Sequence, residues 1–266
     1  MSATRILYQS FTDPAVHMPY LSRLSEYLET VASPGVEFVV RGMCPADTQL
    51  GRLSELRCGV QSVSGIIEAE NEGFDAVLVG HFQDSLIFEA RTAVDIPVIG
   101  YGEASLHQAC MLGARIGLVG IDPVYVPWHR EQVRRYGLEG RVVDVRAMSM
   151  SPAEAIAAFA DARAYEEIKG SFLGLAEKMV AESGVDIVMS AGGLFALLAS
   201  REPALEIEGA MIPNPTILAV KQAELAASVA KITGASVSRG QTFAKASKQS
   251  IYEFMELAAP ASSTSH

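Results

Sequence analysis

Cysteine, long apolar runs and positive charge are all scarce in this chain of 266 residues. The three cysteines, Cys44, Cys58 and Cys110, are widely spaced and form no Cys-x-x-Cys pair, which argues against a disulfide framework and a zinc knuckle. Apolar runs stay below the roughly 20 residues of a membrane span, and the start lacks a signal-peptide pattern. These absences predict a cytoplasmic protein with reduced thiols and no membrane partner.

The charge balance is acidic, with 21 Lys and Arg against 31 Asp and Glu and a formal net charge of −10. A nucleic-acid partner requires a basic face that neutralises phosphates, so none is expected. A pocket built from helix N-termini can still hold a small anion, and the expected partner is therefore a small-molecule substrate. The 49% hydrophobic and 20% charged residues are typical of a compact folded chain.

Short β-rich segments alternate with longer helical patterns, which is typical of an α/β fold with parallel strands. Two long amphipathic helices are predicted at Ala164–Glu182 and Thr216–Lys231. The predicted strands are Arg5–Gln9, Val36–Arg41, Ala76–Gly80, Pro97–Gly100, Arg115–Gly120, Arg141–Arg146, Ile187–Ser190 and Gly209–Ile212.

An internal repeat relates the two parts of the chain. Gly73-Phe-Asp-Ala-Val-Leu-Val-Gly-His81 aligns without a gap to Gly184-Val-Asp-Ile-Val-Met-Ser-Ala-Gly192. The repeat predicts two pseudo-symmetric halves in a three-layer αβα arrangement, with the site in the cleft between them. The alternative is that any two strand-to-helix turns share such features.

The predicted first half is residues 1–100, completed by C-terminal helices in 214–258. The second half is residues 101–213. Residues 259–266 are small and polar, and we expect a disordered tail there.

Several segments in this order resemble the aspartate/glutamate/hydantoin racemase superfamily, and its hydantoin racemase branch in particular. They are Tyr8-Gln-Ser-Phe-Thr12, Gly80-His-Phe-Gln-Asp84, Pro97-Val-Ile-Gly-Tyr-Gly-Glu103-Ala, Arg115-Ile-Gly-Leu-Val-Gly and Ser190-Ala-Gly-Gly. The resemblance implies a cofactor-independent enzyme that forms homo-oligomers. It also implies a cysteine at the end of each repeated strand, where this chain has His81 and Gly192. Both usual catalytic cysteines are therefore absent, and the chemistry is expected to differ.

His81 is the first candidate catalytic residue, because a histidine at the end of a buried strand can act as a general base near neutral pH. It could instead only cap its turn. Asp84, three residues later, could accept the imidazole N–H, or it could be an ordinary residue of a helix start.

Glu103 is the third candidate, since it follows a predicted strand and its carboxylate could reach the cleft. His107 lies four residues later on the same helix face, but a third ligand at a matching spacing is missing, so no metal site is predicted.

The Gly192-Gly193 turn could present unhindered backbone N–H groups to a carboxylate or an oxyanion, or it could be only a tight turn. The other residues expected to bind substrate are Gln9, Ser10, Thr12, Phe82, Gln83, Tyr101 and Ser190.

Three functions remain open from the sequence. The favoured one is a hydrolase, lyase or isomerase that acts on a small amide, a cyclic imide or hydantoin, or a carboxylate, with His81 as base or water activator. The second is a racemase with a substituted acid–base pair, His81 and Glu103. The third is a non-catalytic small-molecule binding protein.

Overall fold

The computed structural model describes residues 3–46, 51–202 and 204–258. Its strands are β1 (Thr4–Gln9), β2 (Val36–Arg41), β3 (Ala76–Val79), β4 (Val98–Gly100), β5 (Ile116–Gly120), β6 (Val142–Ala147), β7 (Ile187–Ser190), β8 (Leu205–Ile207) and β9 (Ala210–Ile212). Its α-helices are α1 (Pro14–Val31), α2 (Arg52–Asn71), α3 (Ile87–Ala93), α4 (Tyr101–Leu112), α5 (Tyr125–Arg135), α6 (Pro152–Ala157), α7 (Ala162–Ser183), α8 (Gly193–Leu198), α9 (Pro215–Thr233) and α10 (Lys248–Ala258).

The strands form two sheets. One has the order β2-β1-β3-β4 with parallel pairing throughout, and the other has the order β6-β5-β7-β9-β8, parallel except for the β8–β9 hairpin. The two orders begin alike. In each sheet the strand that comes first in the chain, β1 or β5, lies between the strands that come second, β2 or β6, and third, β3 or β7. The predicted α/β class with two parallel-strand halves is confirmed.

Strand β8 was not predicted from the sequence. It has three residues, pairs antiparallel with β9, and turns through Glu208 and Gly209, which both have positive φ angles of 48° and 84°. A three-residue edge strand carries too little alternation to be recognised as a strand.

The register of the parallel pairs brings the turns of each sheet to one edge of that sheet. Gln9 of β1 lies opposite Val79 of β3, so the chain leaves both strands at the same level. In the second sheet Val119 of β5 lies opposite Ser190 of β7. The turns that follow β1 and β3 therefore lie together in the first half, and those that follow β5 and β7 lie together in the second.

A shared core joins the two sheets. One cluster of buried side chains includes Ile6 and Leu78 of the first sheet, Leu118 and Met189 of the second, and the alanines of α9. Burying an aliphatic side chain of this size contributes roughly 1.5–3 kcal/mol. The alanine stripe, Ala219, Ala223 and Ala227, is fully buried and lets α9 approach its neighbours closely.

Helix α9 contacts β1, β3 and β4 of the first half and also α4 and α8 of the second, while α10 contacts α2. The expected tail, residues 259–266, lies outside the described residues. Within the described part of the chain, no helix is both long and apolar enough to span a bilayer.

Candidate active site

A cavity of about 120 Å³ lies where the turns after β1, β3 and β7 meet, between the two halves. Ligands of open α/β sheets bind at this edge. The first half contributes Ser10, Phe11, Thr12, His17, Tyr20, Ala46, Gly80, His81, Phe82 and Gln83 to the wall. The second half contributes Ile121, Tyr125, Ile156, Ala191, Gly192, Gly193 and Leu194.

His81 lies in this wall two residues after β3. Its ring stacks on Phe11 with 4.4 Å between centroids and 4° between planes, and its Nε2 lies 3.0 Å from Oε2 of Glu55. The turn before it requires glycine, because a Cβ at Gly80 would lie 2.0 Å from the Tyr8 ring. Packing on one side and a carboxylate on the other thus fix the orientation of the imidazole.

Glu55, from the first turn of α2, is the carboxylate that holds His81. Its Oε1 also accepts a hydrogen bond from the Ser85 hydroxyl. Burial raises the pKa of Glu55, but the charge of His81 and the hydrogen bonds from His81 and Ser85 outweigh burial and leave the pKa below its usual value. An ionised carboxylate only accepts hydrogen bonds, so Nε2 of His81 carries a proton.

Asp84 does not contact the His81 imidazole, and that expectation is wrong. Its fully buried carboxylate accepts the backbone N–H groups of Gly102, at 3.0 Å, and Glu103, at 2.6 Å, at the start of α4. It also accepts the hydroxyl of Tyr136 and the amide of Gln132. Burial raises the pKa of Asp84 to about 6, against the lowering effect of these hydrogen bonds.

The backbone explains this orientation of Asp84. The residue has a φ of 52°, which directs its carboxylate back toward α4. Negative charge at a helix N-terminus is stabilising. Asp84 is therefore a structural residue that joins the β3 turn to α4.

Glu103 also lies outside the described cavity wall, which corrects its expected place opposite His81. Its carboxylate forms a two-point ion pair with the guanidinium of Arg91. The same arginine donates from Nε to the carbonyl oxygen of Val98. Glu103 therefore links α3 to the β4–α4 junction.

The turn after β7 lines the cavity with Ala191, Gly192 and Gly193, as expected for the two glycines. A Cβ at Gly192 would meet no described heavy atom within 4 Å, so this face of the cavity has unoccupied space. Ser190 is buried and lines a separate cavity beside α9, which corrects its expected contact with substrate.

The hydroxyls of Ser10 and Thr12 lie 2.7 Å apart in the cavity wall, where Phe82 and Gln83 also lie. Gln9 is not among the described lining residues. Its buried side-chain amide donates to the carbonyl oxygens of Ser10 and Gly42, each at 3.3 Å. Gln9 therefore fixes the turn, contrary to the expected substrate contact.

Tyr101 is not among the described lining residues, but its hydroxyl lies 3.9 Å from the Cβ position of Gly193, and its contact with substrate stays a prediction. The fully buried hydroxyl pairs with that of Thr216 at 2.7 Å. Burial raises the pKa of Tyr101 far above its usual value.

Sequence reasoning missed two residues of α1 in the cavity wall, His17 and Tyr20. His17 has non-helical angles, φ −120° and ψ 30°, and Pro19 follows within the same helix. Proline inside a helix removes a backbone hydrogen bond and bends it. The His-x-Pro sequence was the available signal, but no role was predicted for it from the sequence.

Among the described residues, no group of three or more His, Cys, Asp or Glu side chains is placed to hold a metal ion. His107 is exposed, with its ring 6.1 Å from that of Tyr136. The thiols of Cys44, Cys58 and Cys110 are not among the described lining groups.

Comparison with known sequences gives consistent matches to one family. The model of the Asp/Glu/Hydantoin racemase family matches residues 19–223. A hydantoin racemase from Pseudomonas sp. (strain NS671) is 30% identical over 130 residues, which are 44% of this chain and 52% of that protein. The match thus spans about half the length of this curated relative.

Solved structures share the fold over nearly the whole chain. An allantoin racemase from Klebsiella pneumoniae superposes with a TM-score of 0.74 at 22% identity, over 92% of this chain and 95% of that one. An allantoin racemase from Pseudomonas fluorescens gives a TM-score of 0.72 at 22% identity, over 91% and 97%. At this level of identity the likeness establishes the fold.

Proposed function

The chain belongs to the Asp/Glu/hydantoin racemase family, and on that basis we propose that it is an isomerase that moves a proton at the carbon next to a carbonyl group. The substrate is a small cyclic amide of the hydantoin or imide type. His81 removes the proton, and the electron pair moves into the carbonyl group to form an enolate. Glu55 holds the ring of His81 through Nε2.

The His81–Glu55 pair in the cavity wall is the observation that carries this proposal. A base that is oriented by a carboxylate, packed against an aromatic ring and directed into a cleft has the parts that general-base catalysis requires. The ionised Glu55 carboxylate stabilises the imidazolium that forms when His81 accepts a proton.

The described wall also favours a cyclic amide over a dicarboxylate. Its described part contains no lysine or arginine, so it offers little charge to hold a second carboxylate. Polar contacts come from the Ser10 and Thr12 hydroxyls and from the backbone N–H groups at Gly192 and Gly193, which suit carbonyl or enolate oxygens. The aromatic and aliphatic part of the wall suits an apolar ring substituent. The names of the relatives, hydantoin racemase and allantoin racemase, point to the same class.

The test follows deuterium uptake at the α-carbon of each enantiomer of 5-benzylhydantoin separately in D2O by NMR, with an enzyme-free sample for the spontaneous rate. We expect His81→Gln to lower the enzymatic exchange rate of at least one enantiomer by roughly 10²–10⁴-fold, the usual contribution of a positioned base. Glu55→Gln should have a smaller effect, because it leaves the base in place and removes only the charge behind it.

His107→Gln is the matched control, since this histidine is exposed and lies outside the described wall. Equal exchange of both enantiomers in wild type and His81→Gln would contradict the proposal. Mass spectrometry of the products separates the other chemistries: addition of water would indicate a hydrolase, and loss of carbon dioxide a lyase. Unchanged ligand affinity of His81→Ala with no turnover on a panel of hydantoins, imides and amino acids would indicate a binding protein.

A further inference from the structure

In the described turn after β7, Ala191, Gly192 and Gly193 supply no acidic or basic side chain to the cavity wall. Glycine has no side chain there, and the space that a Cβ would enter is open among the described residues. Inversion at a carbon requires that a proton leave one face and return to the other. A complete isomerase site therefore requires a proton donor from another element.

Helix α1 brings two polar side chains into this part of the wall. The hydroxyl of Tyr20 lies 3.5 Å from the Cβ position of Gly193, and its ring lies 6.2 Å from Phe159, so this face of α1 adjoins the second half. His17 lies one turn earlier and also lines the cavity. The irregular backbone at His17 and the following Pro19 mark the bend at which the helix presents this side chain.

The imidazole of His17 has no structural role that the described residues reveal. Its Nδ1 is buried without a hydrogen-bond partner in the described part of the chain. A buried polar atom that stays unpaired costs free energy, so its persistence in a cavity wall points to use by a ligand. The neighbouring Tyr20 hydroxyl remains protonated, because burial raises its pKa.

We propose that His17 is the second proton-transfer residue of the site and acts on the face of the substrate opposite to His81. This inference rests on the proposed function and completes it. In one direction His81 takes the α-proton, the C–H electron pair moves to the carbonyl oxygen, and a protonated His17 delivers its proton to the other face of the carbon. The carbonyl then reforms, and both rings regain their starting protonation by exchange with water. In the other direction the two histidines exchange roles.

The test uses each enantiomer of 5-benzylhydantoin separately in D2O. NMR measures uptake of deuterium at the α-carbon, and circular dichroism measures loss of optical activity. We expect His17→Gln to lower the racemisation rate at least about 10²-fold, as for loss of a positioned acid or base. The same variant should still exchange the proton of the one enantiomer that His81 serves, with retention of configuration. His81→Gln should exchange only the other enantiomer.

The outcomes separate this inference from the proposed function. Racemisation by His17→Gln at the wild-type rate would overturn the role of His17 and leave that of His81 intact. Loss of inversion in Tyr20→Phe but not in His17→Gln would assign the role to Tyr20 instead and overturn the inference. Absence of exchange of either enantiomer by the wild type would overturn the proposed function and the inference together. His107→Gln again serves as the control, and circular dichroism in the far ultraviolet checks that each variant is folded.

Discussion

At the scale of single residues, His129 is the buried titratable side chain behind the cavity wall. It is fully buried, its ring lies 5.2 Å from Phe82, and neither ring nitrogen has a hydrogen-bond partner among the described residues. Burial lowers the pKa of His129 from 6.5 to about 4, against the raising effect of the Gln132 side chain and with a smaller lowering contribution from the charge of His81. The folded protein therefore keeps this ring neutral where the unfolded chain would protonate it.

The pH dependence of stability follows from that difference. Because the unfolded state binds the proton more tightly, the contribution of His129 is fully present above pH 6.5 and declines as the pH falls toward about 4. The loss amounts to about 3 kcal/mol of unfolding free energy, at 1.4 kcal/mol per pKa unit.

We expect His129→Phe to weaken this acid sensitivity while changing stability little at pH 8, because no hydrogen bond is lost. Urea unfolding between pH 8 and 4.5 measures both. A His129→Phe protein that loses stability with pH as steeply as wild type would contradict the burial argument.

Gly80 is a second residue at which the geometry gives a definite expectation. A methyl group there would lie 2.0 Å from the Tyr8 ring, which is fully buried and unable to move aside freely. We expect Gly80→Ala to cost about 1–3 kcal/mol of unfolding free energy, as for other overpacked sites. It should also slow exchange at the substrate carbon, since His81 follows directly in the chain.

Gly170→Ala is the matched control for this change. Gly170 lies exposed within α7, and a Cβ there would meet no described heavy atom within 4 Å. Alanine is the better helix former, so the control should gain roughly 0.5–1 kcal/mol. Thermal unfolding of both variants measures the two changes in stability. Equal changes would show that the Tyr8 ring moves away from the Gly80 Cβ position in solution.

At the scale of elements, the sequence was sufficient to predict the strands other than β8 and the turns that follow β3 and β7. The apolar runs of β3 and β7 and their aligned Gly-x-Asp starts located His81 and Gly192 at equivalent ends of two parallel strands. Because β3 and β7 belong to different sheets, the repeat, and not parallel pairing, predicts that these two ends face each other across the cleft. The position of the cavity therefore followed from periodicity and from the repeat.

The partners of the side chains did not follow from the sequence. Asp84 is three residues from His81 and was expected to hold it, but its positive φ of 52° directs it to α4. Glu55 lies 26 residues before His81 in the chain and reaches the ring only because α2 docks beside the β3 turn. Helix docking and turn conformation depend on tertiary packing, which a local pattern does not encode.

The bend in α1 illustrates the same limit from within one element. The backbone leaves helical geometry at His17, ahead of Pro19. A proline inside a helix indicates that the helix bends. Which side chain the bend turns toward the cavity depends on how the two halves pack around the helix. His17 therefore became a candidate only when the cavity was known.

At the scale of the whole molecule, one buried cluster extends through both sheets and through α9. The side chains of Leu78 and Met189, from opposite halves, belong to that same cluster. Two sheets that share a core are expected to unfold as one cooperative unit, because neither can keep its buried face without the other. Separate unfolding would require that this common core divide.

A substitution in α9 tests this cooperativity. Ala223 is fully buried in the stripe that faces the sheets, so Ala223→Leu should cost about 1–3 kcal/mol through overpacking. Hydrogen exchange by mass spectrometry should then rise by the same factor in peptides that cover β3 and in peptides that cover β7. Ser228→Leu, at an exposed position of the same helix, is the control and should leave both peptides unchanged. Faster exchange confined to the β3 peptides would show that α9 stabilises the first half alone, and the shared core would then contribute little to the coupling of the two halves across the cavity.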